Sequence, residues 1–148
     1  MADSMFMGYL IWAAWQDYKE KMVVRYTHLV GLAAVFLMAC IKATYVLECP
    51  MEYMLGIAFV LLTQIAAQKC RLYGMADIFV FSLIGLFFVF SKGPKLYMTA
   101  YLFVFALSGC LLVLVQIGRK NIKGTHLNCS VAYIPYICFA FFLTNVVV

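Results

Sequence analysis

Two aspartates stand out in a chain with little other polar chemistry. Asp17 closes the stretch Trp12-Ala13-Ala14-Trp15-Gln16. Asp77 lies in Tyr73-Gly74-Met75-Ala76-Asp77-Ile78-Phe79, at the mouth of an apolar run from Ile78 to Phe90. Two carboxylates brought close cannot both ionise easily, so the pair shares a proton near neutral pH. The ionised member can then activate a water while the other protonates a leaving group. That chemistry needs no metal, no thiol and no nucleophilic serine.

The elements that must hold such a pair follow from composition. Of 148 residues, 67% are hydrophobic and 11% charged, and the mean hydropathy is +1.00. A soluble domain of this size needs a more polar surface. The expected fold is an all-α membrane protein, a bundle of six transmembrane helices, with residues 1–148 forming a single domain. A spanning helix needs about 20 largely apolar residues. The candidate spans are 4–17, 27–47, 51–68, 73–91, 96–118 and 131–148. Short connections make consecutive helices antiparallel neighbours. The first span is short: about 14 residues reach roughly 21 Å against a core of about 30 Å. Met1 to Ser4 lack a basic residue, so the first apolar run is expected to be retained rather than removed as a signal peptide.

The net charge of +5 does not imply nucleic-acid binding, because the basic residues fall in short loops between apolar runs. Lys19, Lys21 and Arg25 lie in the first loop, Lys69 and Arg71 in the third, and Arg119, Lys120 and Lys123 in the fifth. The second loop carries Glu48 and Glu52, and the fourth Lys92 and Lys95. The positive-inside bias puts loops one, three and five in the cytoplasm and both termini outside. The protein is therefore expected to be a multi-pass protein of the inner or plasma membrane. Lys42 falls inside the second span, near its outer end, where it is expected to snorkel.

This topology puts Asp17 and Asp77 at the same depth on the cytoplasmic face, although 60 residues separate them. Carboxylates at membrane depth are costly and usually face a bundle interior or a water-filled cavity. Asp3, Glu48 and Glu52 fall on the opposite side, and Glu20 reads as a solvated charge. Two readings of the pair stay open. As a catalytic dyad it has the aspartic-protease arrangement. As interfacial caps, the aspartates would accept backbone N–H bonds and complement helix dipoles. The cap reading suits Asp77 at a helix start and suits Asp17 poorly at a helix end. Gly74 and Ala76 are small, and are expected to let the helix bearing Asp77 approach the one bearing Asp17.

The six cysteines form no CxxC pair and lie mostly in or beside apolar runs, where cysteine packs as a small apolar residue. The only histidines are His28 and His126. His126 and Cys129 share a loop but make too small a ligand set for zinc, so no metal and no other cofactor is expected.

Gly74-Met75-Ala76-Asp77 resembles the GxGD motif of intramembrane aspartyl proteases. Together with an earlier aspartate ending a first helix and followed by basic residues, it is similar to the type IV prepilin peptidases, in a short form. The match at the first aspartate runs Asp17-Tyr18-Lys19-Glu20-Lys21-Met22-Val23-Val24-Arg25, with Val24-Arg25 where the family has Pro-Asn. Ala76 replaces the second glycine, and Phe79 stands where many members carry a lysine. Ile134-Pro135-Tyr136 resembles the family's Pro-containing final segment. The resemblance covers the chain in helix count, order and orientation.

It implies a hydrolase with Asp17 and Asp77 as the catalytic residues. The substrates would be type IV pilin-like precursors, cut at the cytoplasmic face to remove a basic leader, in pilus assembly or protein secretion. Lys19, Lys21, Lys69 and Arg71 would edge the site, either holding substrate or only setting topology. Larger members carry paired CxxC motifs in an N-terminal domain associated with N-methylation. This sequence has none, so peptidase activity without methyl transfer is expected. The alternative is a small proton- or cation-coupled transporter or channel subunit, with Asp17 and Asp77 as its ion site.

Overall fold

The computed structural model describes residues 2–70, 74–93, 96–123 and 132–147. The described residues form seven α-helices and no strand: α1 (Ala2–Glu20), α2 (Arg25–Ile41), α3 (Ala43–Glu48), α4 (Pro50–Lys69), α5 (Met75–Ser91), α6 (Tyr97–Lys123) and α7 (Ile134–Val147). The expected all-helical class is the one observed. Among the described residues two helices are long and apolar enough to cross a membrane, Pro50–Lys69 and the Tyr97–Gly118 part of α6. Three shorter helices, α2, α5 and α7, are also apolar.

Two boundaries differ from expectation for local reasons. α1 has 19 residues, not the expected 14 or so, and reaches about 28 Å. Its polar end Asp17-Tyr18-Lys19-Glu20 stays helical, and Lys19 in the last turn complements the dipole. Lys21 then stops the helix in the left-handed region, at φ 52°, its N–H donating to the Asp17 carbonyl at 3.0 Å. The second expected span breaks at Lys42 into α2 and the six-residue α3. Lys42 sits at φ −95° and ψ 11°, and its ammonium lies 5.3 Å from the Tyr45 ring centroid.

α5 is the centre of the bundle, packing against α2, α4, α6 and α7, while α1 packs against α2 and α7. Two glycines set the spacing. A Cβ on Gly85 would meet Val60 Cγ1 at 2.6 Å, so α4 and α5 close only over a residue without a side chain. A Cβ on Gly31 would meet the Tyr9 ring at 2.7 Å, which fixes α1 against α2 in the same way. Beneath the helix ends lies an aromatic core. Phe6 stacks on Phe87 at 4.2 Å between ring centroids, and Phe88 on Phe141 at 5.1 Å.

Candidate active site

The end of α1 and the loop after it, the start of α5 and the residues just before α7 line an open cleft of about 460 Å³. Its wall includes Asp17 and Lys21 from the end of α1, Val23 from the following loop, Gly74 and Asp77 at the start of α5, and Tyr133 just before α7. The two aspartates therefore face the same space. Asp17 lies in the last turn of α1 and Asp77 in the first turn of α5.

Their surroundings differ. Asp17 is buried, with 8% of its surface exposed, and its Oδ2 accepts the backbone N–H of Ile134 at 3.0 Å. It is thus the N-terminal cap of α7, a helix 117 residues away in sequence. Pro135 follows in the first turn of α7, where its missing N–H is not needed. Tyr133 is anchored by its hydroxyl, 3.0 Å from Ser108 Oγ on α6. Beside Asp17, Thr27 donates to Gln16 Oε1 at 2.7 Å and ties α2 to α1.

Asp77 is half-buried and caps its own helix. Its Oδ2 accepts the Gly74 N–H at 3.2 Å, the backward half of a capping box.

Both aspartates thus do capping work; Asp17, which suits a cap poorly at the end of its own helix, caps the start of α7 instead. The other expected site residues separate. Gly74 is exposed, and a Cβ on it would meet Asp77 Oδ2 at 3.3 Å and nothing of α1. Its smallness therefore serves the turn that carries Asp77, not the approach of α1. Ala76 is partly buried against the core. Lys21 lines the cleft. Lys19 lies 4.9 Å from the centroid of the Trp15 ring, and Lys69 is exposed on the last turn of α4; neither lines the cleft. Arg71 lies outside the described residues. Phe79 stacks on His28 at 5.5 Å, away from the cleft. The contribution of Tyr133 and Ile134 was missed, although Pro135 marks a helix start at this end of the bundle.

Among the described residues no three His, Cys, Asp or Glu side chains converge as a metal site would require; His126 and Cys129 lie outside them. The arrangement sets two carboxyl groups from different helices beside one water-accessible space. No protein-family model matches the chain, and neither the curated proteins nor the solved structures include a significant match.

Proposed function

We propose that this protein is a multi-pass membrane aspartic endopeptidase of the prepilin peptidase type. In this reading it cleaves the leader of type IV pilin-like precursors at the cytoplasmic face. The observation that carries the reading is the shared cleft: two carboxylates from distant helices face one open space at a helix-end surface. The membrane setting is supported by the apolar residues left on the outside. Phe36 is 69% exposed, and Leu55, Leu62 and Leu114 are each 64% exposed, on three different helices. Trp12, Trp15 and Tyr18 are exposed near the Asp17 end of α1, and Lys19 packs on Trp15, as in an interfacial aromatic belt. That belt would set the cleft at headgroup level, within reach of water and of a leader leaving the bilayer.

In the proposed reaction an ionised aspartate takes a proton from water as its oxygen attacks the scissile carbonyl. The protonated partner supplies a proton to the carbonyl oxygen. Collapse then breaks the C–N bond and returns the pair to one shared proton. No covalent intermediate is needed.

A proton or cation path would use the same carboxylates differently. It would need polar groups running below them. The buried residues below the pair are mostly apolar, among them Leu10 and Phe6 on α1, Phe81, Ile84 and Phe88 on α5, and Ile137 and Phe141 on α7, with Tyr9 and Thr144 the polar exceptions on α1 and α7. A mostly apolar interior of that kind favours a terminal site over a conducting path. The test is co-expression with a prepilin. Wild type should process the precursor, and Asp17→Asn and Asp77→Asn should leave it uncut. Processing by either variant at the wild-type rate removes the reading.

A further inference from the structure

Resting on the peptidase reading, the two aspartates can be given separate roles. We propose that the first N–H of α7, at Ile134, holds Asp17 as the ionised member of the pair, and that Asp77 carries the shared proton. Ile134 is then a positioning residue, acting through Asp17.

Asp17 is buried and takes a backbone N–H from a second helix at 3.0 Å. An N–H at a helix start carries part of the positive end of the helix dipole, and it bonds a carboxylate better than a carboxylic acid. The donor is fixed from behind. Tyr133, the preceding residue, is tied through its hydroxyl to Ser108 on α6 and is itself buried. Among the described residues Asp77 has the longer bond from Gly74, at 3.2 Å in an exposed turn of its own helix. With one negative charge to place on two carboxylates, the site with the shorter, buried and anchored donor takes it.

The other titratable groups around Asp17 do not reverse this order. Lys21 and Tyr133 share the cleft with both aspartates, Lys21 from the end of α1 and Tyr133 from the segment before α7. From α2, His28 lies against Tyr9, two turns away along α1, with its Nδ1 3.1 Å from the Tyr9 hydroxyl. In the reaction, Asp17 would take the proton from water while Asp77 gives its proton to the carbonyl oxygen. Asp17 would then protonate the leaving nitrogen, and Asp77 would recover its proton from the hydroxyl of the collapsing intermediate.

The experiment is pH-difference infrared spectroscopy of the purified full chain in lipid vesicles, reading the C=O band of protonated carboxyl groups. In wild type one component of this band should titrate above the rest, beyond the ordinary carboxyl range of about 4. That component should be absent from Asp77→Asn. In Asp17→Asn it should persist with a lower midpoint, because the neighbouring charge is gone. Loss of the component in Asp17→Asn, or its survival in Asp77→Asn, overturns the assignment.

A second arm tests the donor. Ile134→Pro removes the N–H at a position where proline suits a helix start, and Ile134→Val keeps it. The lower-pH carboxyl titration, and the acid limb of the cleavage profile, should move up by about one pH unit in the proline variant only. An unmoved limb in folded Ile134→Pro overturns the role of Ile134. The infrared arms need no substrate. If they behave as expected while wild type cuts no prepilin, the charge assignment stands and the peptidase reading falls.

Discussion

Two buried polar groups lie on different sides of α5, and they have opposite character. On one side Asp17 and Asp77 face an open cleft between the end of α1, the start of α5 and the residues before α7. On the other, Gln64 of α4 is 3% exposed and bonds the hydroxyl of Tyr101 on α6, with Thr63 3.4 Å from the same hydroxyl. Gln64 Oε1 has no partner among the described residues. Both sets link distant helices, but only the first combines ionisable groups with access to water. A neutral amide and two hydroxyls, sealed between helices, fasten the bundle and have no group suited to acid–base work near neutral pH. Burial of polar atoms therefore does not mark the candidate site. Ionisable chemistry beside open space does.

The contrast can be broken most sharply at Asp77 and Gln64. Asp77→Asn should lower prepilin cleavage by at least about 10³-fold while the protein stays folded. Gln64→Met, similar in volume, should cleave at the wild-type rate. Its stability should stay within about 1 kcal/mol of wild type, since it also removes the unpartnered oxygen. A Gln64→Met protein that is folded but inactive would erase the distinction.

The next effect separates the aspartates. Asp17→Ala should cost about 2 kcal/mol in denaturant unfolding, because the Ile134 N–H is left buried and unpaired. Asp77→Ala should cost about 0.5–1 kcal/mol, since the Gly74 N–H it abandons lies in an exposed turn.

The smallest effect belongs to the turn. Lys21 is the only described non-glycine residue with positive φ. Lys21→Gly should raise stability by about 0.5–1 kcal/mol and Lys21→Val should lower it, as read from shifts in Tm.

Hydropathy and loop charge were enough to identify the all-helical class and to bring Asp17 and Asp77 to one end of the bundle. Both follow from local patterns with a strong period. The end of α1 was set too early because Asp17-Tyr18-Lys19-Glu20 is polar, and a hydropathy reading stops where apolar residues stop. Helix propensity and the Lys19–dipole interaction carry the helix a further turn. The break at Lys42 was hidden by the apolar residues on both sides of it. The role of Gly74 was misassigned because smallness does not reveal which neighbour is near. The bond from Ile134 to Asp17 depends on how α1 and α7 pack, and no local pattern spans 117 residues.

The central claim is that Asp17 and Asp77 act as one unit on a peptide bond. Cleavage rates of a purified prepilin by wild type, Asp17→Asn, Asp77→Asn and the double variant, all in lipid vesicles, test it directly. Residues that act as a unit are strongly non-additive. The account predicts that each single variant loses at least about 10³-fold and that the double variant is no slower than the worse single. Losses that multiply in the double variant, or a single variant near the wild-type rate, would contradict it.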